Sequence, residues 1–187
     1  MTSSEIKTMQ TRVGVTPDGF WGPKSIAACQ AHLFRLMRQT NPWPRPNASA
    51  LAEFFGEPGD EDNLVNLSVS GLGVEYDGNP VKTIRCNKHV AASLGRVLAE
   101  ISAGPHAGIL EEYAGCFNFR KKRGGTSYSL HAYGAAIDFD PGSNAMRDSW
   151  PMRATMPLEV MEAFAREGWK SAGAWWGYDA MHFECTR

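Results

Sequence analysis

The sequence predicts an α+β fold: a small, mainly antiparallel sheet with flanking helices, preceded by a small helical segment. Stretches with helical spacing of apolar residues and short strand-like stretches are mixed without a regular β-α-β alternation, which favours α+β over α/β. The length of 187 residues suffices for one ordinary domain with a small appendage. A hydrophobic fraction of 43% and a charged fraction of 21% are typical of a folded globular protein.

Residues 1–40 form the predicted front segment, two short helices joined by a turn. The first helix has an inner face that ends before Gly14 and consists of Ile6, Met9, Gln10 and Val13. The run 16–19 (Thr-Pro-Asp-Gly) is typical of a turn, and Pro23 suits the first turn of a second helix. The predicted inner face of that helix consists of Ile26, Ala27, Cys29, Gln30, Leu33 and Leu36. Two short helices bury little apolar surface, so we expect them to need a further element for stability.

Residues 41–63 are a predicted linker between the front segment and the main domain. The proline-rich run 41–47 ends the second helix and indicates an extended connector. One more short helix is expected at 48–56, followed by an acidic surface loop at 57–63. The main domain is then expected to span residues 64–187.

The main domain has two clear helical patterns and two strand patterns. Near 88–102, one stripe at helical spacing consists of Val90, Leu94, Val97, Leu98 and Ile101. A second helix is predicted over 157–167, ended by Gly168, with an inner face of Leu158, Val160, Met161 and Phe164. Alternating residues predict a strand over 135–140, and a final strand is expected to begin at 183–185.

Charge and hydropathy argue against nucleic acid and membrane as partners. The formal net charge of -1 provides no overall attraction to nucleic acid, and the basic run 120–123 is interpreted as a solvated loop. No stretch approaches the ~20 continuous apolar residues of a membrane span, so no membrane insertion is expected. The 4 cysteines are widely spaced, without a Cys-x-x-Cys pair. We therefore expect buried, reduced thiols rather than a thiolate metal site.

Two short clusters, 129–138 and 175–184, carry the residues with chemical potential. Together they contain two histidines, several carboxylates and neighbouring aromatic residues that could exclude water. Two histidines and one carboxylate are a ligand set typical of catalytic zinc, with a fourth position open for water. The alternative is that each histidine is structural or exposed, and His32, His89 and His106 are interpreted in that way.

The spacing within each cluster constrains how a site could form. His131 and Asp138 are seven positions apart, so an unbroken strand would place them on opposite faces. Gly134 is where the chain could turn or bulge to bring them together. Asp179 and His182 are three apart, close enough in a tight turn to face one centre. One could then bind a metal ion while the other holds the attacking water.

These residues resemble the motif of the zinc D,D-peptidase and endolysin family. That family includes VanX- and VanY-type dipeptidases and carboxypeptidases and the L-alanyl-D-glutamate phage endopeptidases. Its pattern, Ser-x-His-x-x-Gly-x-Ala-x-Asp followed by acid-x-x-His, is filled here by Ser129, His131, Gly134, Ala136, Asp138, Asp179 and His182. The resemblance covers roughly residues 80–187 and implies a D,D-peptidase-like zinc fold.

The resemblance also implies a role for each matched residue. The implied Zn²⁺ ligands are His131, Asp138 and His182. Asp179 is implied as general base, at a position where family members often carry Glu. Ser129 and Arg120 are implied to contact substrate, with Arg123 as the competing arginine. Trp176 is a candidate substrate platform, although packing is the alternative for this tryptophan and its neighbour.

The front segment resembles a peptidoglycan-binding repeat, in which an Asp-Gly-x-x-Gly-Pro turn joins two helices. The matching residues are Asp18, Gly19, Gly22 and Pro23. The match covers about 40 residues, less than a full module. The segment could therefore bind glycan, or it could be a structural cap on the main domain.

The family resemblance and the residue patterns together imply a monomeric zinc peptidase that acts on peptidoglycan, with a phage-type endolysin cutting L-alanyl-D-glutamate bonds as the leading hypothesis. A D-alanyl-D-alanine carboxypeptidase would use the same metal ligands. A non-catalytic wall-binding protein is a third hypothesis, and a structural zinc domain with Glu184 or Cys185 as fourth ligand is a fourth. Residues 1–10 lack the pattern of a secretory signal, so we expect the protein in a host cytoplasm before its release to the cell wall.

Overall fold

The computed structural model describes residues 1–37 and 41–187 and confirms an α+β fold with small antiparallel sheets. The helices are α1 Ser3–Val13, α2 Pro23–Leu36, α3 Ala48–Phe55, α4 Ala91–Ser102, α5 Leu158–Arg166 and α6 Ala172–Trp176. The strands are β1 Leu64–Ser68, β2 Glu75–Tyr76, β3 Asn79–Pro80, β4 Thr83–Asn87, β5 Tyr113–Gly115, β6 Ala136–Phe139, β7 Lys170–Ser171 and β8 His182–Glu184. Short 3-10 turns lie at Glu61–Asn63, Ala107–Glu112 and Leu130–Tyr133.

The two predicted front helices are confirmed as α1 and α2. Thr2 and Glu5 form a reciprocal capping box at the start of α1, and Gly14 ends it in the left-handed conformation at φ 82°. The predicted inner face of α2 is partly wrong, because Ile26 is 40% exposed. The buried residues lie about one position round the helix, on the row formed by Ser25, Cys29 and Leu33. The predicted end of the front segment, residue 40, lies outside the described residues.

The front segment shares one hydrophobic core with the main domain. Met9 and Leu33 belong to the same buried cluster as Phe164 of α5. Two helices that bury little surface by themselves thus obtain their missing partner from the main domain, as expected. The division into residues 1–40, 41–63 and 64–187 stays a prediction.

The main-domain helices match their predicted positions. The stripe of α4 and the inner face of α5 are buried as predicted, and Gly168 follows α5 with φ 80°. Phe164 of α5 stacks on Phe183 of β8, with ring centroids 3.8 Å apart. This packing fixes the helix layer against the sheet. No helix within residues 1–37 and 41–187 has both the length and the hydropathy to cross a bilayer.

The four-stranded sheet has the order β5-β6-β8-β7, and all neighbouring strands are antiparallel. In the β6–β8 pair, Asp138 lies directly opposite His182. Because side chains of directly opposed residues project from the same face of a sheet, this register brings the two predicted ligands together. The antiparallel pairs β1–β4 and β2–β3 form two smaller sheets.

Candidate metal centre

The three predicted metal ligands converge on one point of the structure. His182 Nδ1 lies 2.9 Å from Asp138 Oδ1 and 3.2 Å from His131 Nε2. His131 Nε2 also lies 3.2 Å from Oδ2, the other carboxylate oxygen of Asp138. His131 and His182 are buried, and Asp138 is partly buried. The ligand atoms therefore form a compact triangle in a largely shielded place.

A tight turn positions the first of these side chains. His131 lies in the 3-10 turn Leu130–Tyr133, which ends at Gly134 with φ 66°. A Cβ atom at Gly134 would lie 2.7 Å from the backbone nitrogen of Asn87, so the turn can only pass here without a side chain. The turn reverses the chain before β6 begins. This is how residues seven positions apart come to share one face, as the spacing predicted.

Hydrogen bonds fix which nitrogen of each imidazole faces the centre. The Nδ1–H of His131 donates to the carbonyl oxygen of Cys116 at 2.7 Å, which leaves Nε2 free for a metal. On His182 the arrangement is reversed, since Nε2 faces Glu184 Oε2 at 3.4 Å. Glu184 in turn accepts a hydrogen bond of 2.6 Å from Thr186. Each ligating ring is thus held from behind by an oxygen acceptor.

The electrostatics of the triangle favour a bound cation. Burial disfavours the charged form of Asp138, but the close contacts with His131 and His182 outweigh burial and hold the pKa of Asp138 well below the usual range. Burial likewise disfavours the His182 imidazolium, but Asp138 and Glu184 outweigh it and raise its pKa to about 10. The negative charge of Asp138 and Glu184 therefore favours positive charge at this point, for which a divalent cation would compete with a proton.

The distances also fit zinc. Ligand atoms about 2.0–2.1 Å from a tetrahedral zinc are separated from one another by about 3.3 Å. The three observed separations of 2.9, 3.2 and 3.2 Å are close to that value. Within the described part of the chain, the group of possible ligands around this point comprises His131, Asp138 and His182. Glu184 lies on the far nitrogen of His182, so it is not placed as the fourth ligand that a closed structural site needs.

Asp179 lies beside the triangle with one oxygen unused. It precedes β8 in the left-handed conformation at φ 59°, and its carbonyl oxygen accepts a 3.0 Å hydrogen bond from the His182 backbone. Its Oδ1 is buried and has no hydrogen-bond partner among residues 1–37 and 41–187. Burial, reinforced by the charge of Asp138, raises the pKa of Asp179 above its ordinary value. A buried acceptor without a partner is costly, so this oxygen fits a position where water or substrate supplies the missing hydrogen bond.

The remaining predicted site residues line a cleft of about 260 Å³ over the triangle. Arg120 and Arg123 are both at its wall, where Arg120 is partly buried and Arg123 is exposed. Trp176 is 43% exposed and stacks over His182, with centroids 5.9 Å apart and an interplanar angle of 27°. Ser129 is buried, and its hydroxyl caps the turn by accepting from the His131 backbone at 3.4 Å.

Sequence reasoning missed the groups that hold the histidines from behind. The carbonyl of Cys116 left no signal, because a backbone oxygen is common to all residues. Glu184 could have been found in this role: it is two positions after His182, and alternate residues of a strand share a face. The sequence-based interpretation considers Glu184 only as a fourth ligand.

Comparison with known families supports the peptidase interpretation. A family model described as D-alanyl-D-alanine carboxypeptidase, of the peptidase M15 type, matches residues 123–185. The match covers about a third of the chain and contains the three converging ligands and Asp179. Searches of curated proteins and of solved structures found no match. The matched segment therefore supports a peptidase of the M15 family, and the front segment lies outside it.

Proposed function

We propose that the protein is a zinc-dependent peptidoglycan peptidase that hydrolyses an amide bond in the stem peptides, and that it acts as an endolysin on the L-alanyl-D-glutamate bond. The observation that carries the proposal is the triangle of His131 Nε2, Asp138 and His182 Nδ1. Beside it, a buried oxygen of Asp179 has no hydrogen-bond partner among the described residues. Two imidazoles, one carboxylate and an open side are the ligand arrangement of catalytic rather than structural zinc.

Each protein group has a defined task in this mechanism. Zinc, when bound by the three ligands, polarises a carbonyl and lowers the pKa of a water molecule to about 7. Asp179 accepts the proton of the attacking water through its buried Oδ1 and then donates it to the leaving amine. The raised pKa of Asp179 suits the first step, because it makes the carboxylate a stronger base toward the attacking water. Trp176 shields one side of the centre from bulk water.

The basic wall of the cleft provides the recognition of substrate. Stem peptides carry free carboxylates near the bonds in question, and a guanidinium binds a carboxylate through two parallel hydrogen bonds. Arg120 lines the cleft and is partly buried, whereas Arg123 is exposed. We assign the carboxylate contact to Arg120 for this reason. Ser129 contributes a hydroxyl at the same wall.

A D-alanyl-D-alanine carboxypeptidase is the second candidate, and the description of the matching family model favours it. The two activities need the same ligands and the same base. They differ in the product: an endopeptidase creates a new N-terminal D-glutamate, whereas a carboxypeptidase releases free D-alanine. Mass spectrometry of purified wall after digestion distinguishes them directly.

Zinc dependence is tested by chelation and by restoring the ion. We expect the wild-type protein to lose hydrolysis after treatment with a chelator and to regain it with one equivalent of Zn²⁺. His131→Ala should bind less than one equivalent and remain inactive. A wild-type protein that releases no new termini or amino acids from wall, with zinc bound, would contradict the proposal and favour a non-catalytic wall-binding role.

A further inference from the structure

The front helix α2 makes a direct contact with the helix that carries the aromatic wall of the metal centre. The side-chain amide nitrogen of Gln30 lies 3.0 Å from the carbonyl oxygen of Ala174 and 3.4 Å from that of Trp175. Both oxygens belong to α6, and Trp176, the next residue, stacks over His182. Gln30 of the front segment is therefore linked to the candidate active site through α6, whose Trp176 stacks over His182.

Helix α6 is short and depends on such contacts. It has only 5 residues, far fewer than an isolated helix needs to persist in water. Its last carbonyl oxygens have no partners within the helix itself, as at every helical C-terminus. The Gly177 backbone donates to Gly173, and Gln30 donates to the two oxygens that follow. A donor from another helix thus completes the end of α6.

The position of α6 is transmitted to Asp179 by close packing. A Cβ atom at Gly173 would lie 2.8 Å from the Cβ of Ala180 and 2.9 Å from Cε of Met161. The backbone of α6 therefore rests against the residue next to Asp179 with no space to spare. A shift of α6 toward Ala180 would therefore displace the residue next to Asp179.

A second contact from the front segment supports the same loop. Trp21 packs edge-on against Trp150, with ring centroids 5.3 Å apart. The backbone nitrogen of Trp150 donates to the carbonyl oxygen of Gly177 at 2.9 Å. Carbonyls of the stretch 174–177 are therefore held by Gln30 and by a residue that the front segment covers.

We propose that the front segment is a working part of the active site, in which Gln30 is a positioning residue that holds α6 and thereby places Trp176 and Asp179 over the metal centre. The expected loss of activity rests on the proposed function, whereas the expected loosening of α6 and the loop after it does not. It assigns to the segment a role other than that of a separable wall anchor.

A donor series at position 30 tests the proposal in the full-length protein. Gln30→Met keeps the length of the side chain and removes the N–H groups, Gln30→Glu places a negative charge against two carbonyl oxygens, and Gln30→Lys restores a donor that suits a helix C-terminus. We expect kcat to fall about 5- to 20-fold in the Met variant and further in the Glu variant, with KM and zinc affinity nearly unchanged. The Lys variant should recover most of the activity. Lys24→Ala, on the exposed side of α2, is the matched control.

Amide hydrogen exchange gives a measurement that does not need activity. The peptide covering 172–182 should exchange faster in the Met and Glu variants than in the wild type, the Lys variant and the control. Equal exchange and equal kcat in all variants would overturn the proposal, as would an order that follows apolar packing, with Met best and Lys worst. If wild-type protein proves inactive on wall, the proposed function fails, and the exchange pattern still decides whether Gln30 positions this loop.

Discussion

The front turn resembles a family motif and the candidate metal centre lies in the segment that a family model matches, but their polar groups are used in opposite ways. In the front turn, Gln10 is 1% exposed, and its amide nitrogen lies within 3.0 Å of oxygens of Asp18, Phe20 and Ser25. Its amide oxygen accepts from the Gly19 backbone at 2.8 Å. At the metal centre, by contrast, Asp179 keeps a buried oxygen to which no described residue donates, and three ligand atoms face one another.

The difference shows how a motif can be assigned to structure or to chemistry. A polar cluster whose hydrogen bonds are all internal is complete without a ligand and stabilises the fold. A cluster that crowds acceptors together, or leaves one buried and unpaired, is stable only with something added. By this criterion the Asp18–Gly19 turn holds the front segment together, and the His131–Asp138–His182 triangle is the candidate for binding a ligand.

The largest effect that this difference predicts is the loss of activity when the charge of Asp179 is removed. Asp179→Asn keeps the shape of the side chain and removes its ability to accept a proton, so we expect kcat to fall about 10³-fold with zinc still bound. Asp62→Asn, an exposed carboxylate in the 3-10 turn Glu61–Asn63, serves as control and should be neutral. Activity is followed by release of amino groups from wall. A variant that retains a tenth of wild-type activity would remove Asp179 from the mechanism.

Zinc should stabilise the protein through the triangle and not through the front turn. At a zinc concentration about 1,000 times the dissociation constant, we expect a gain of about 4 kcal/mol in the free energy of unfolding. The gain should disappear in His131→Ala and persist in Gln10→Ala, although the second variant is less stable at the start. Thermal melts with and without Zn²⁺ measure both effects. A zinc-dependent gain that survives His131→Ala would place the ion elsewhere.

A buried carboxylate that holds the front segment offers a smaller effect. Glu162 of α5 is 3% exposed and accepts a two-pronged hydrogen bond from Arg12 and another, of 2.8 Å, from His32. We expect Glu162→Gln to lower the free energy of unfolding by about 2–3 kcal/mol. Glu159→Gln, which removes the exposed 3.2 Å partner of Arg12, should cost about 0–1 kcal/mol. Equal losses in urea titrations would refute the importance of the buried site.

The same carboxylate predicts a pH dependence of stability. Burial opposes its ionisation, but the hydrogen bonds from Arg12 and His32 outweigh burial and lower the pKa of Glu162 below its ordinary 4.5. Since the folded-state pKa is the lower one, the contribution is complete above pH 4.5 and is lost as the pH falls through the folded-state value. Unfolding curves should show this loss in the wild type and a smaller one in Glu162→Gln.

The two arginines of the cleft give the smallest expected difference. Arg120 is partly buried at the wall, so Arg120→Ala should raise KM about tenfold through loss of a carboxylate contact. Arg123→Ala should change KM by less than about threefold, because an exposed guanidinium binds weakly in water. Steady-state kinetics with soluble stem peptides measures both. The reverse order would transfer the contact to Arg123.

The sequence predicted the elements well where one local pattern sufficed, as the stripe of α4 shows. His131 and His182 were named from the family motif that they fill, and the structure brings them together. Prediction fails where the buried face of a helix depends on the elements that pack against it. Ile26 is expected to be buried because apolar residues usually are, but α1 and α5 pack against the row of Ser25, Cys29 and Leu33 instead. The contact from Gln30 to α6 joins residues 144 positions apart, and no local pattern encodes it.

The front helices and the sheet each contain buried cysteines whose reaction with a thiol reagent would report local unfolding. Burial raises the pKa of all 4 thiols, to about 12 for Cys29 and Cys86, so reactive thiolate is scarce in the closed protein. Cys29 lies in α2, whereas Cys116 and Cys185 lie around the sheet. An alkylating reagent would therefore modify each cysteine only when the structure around it unfolds locally. The order of modification would show whether the front helices or the sheet unfold first.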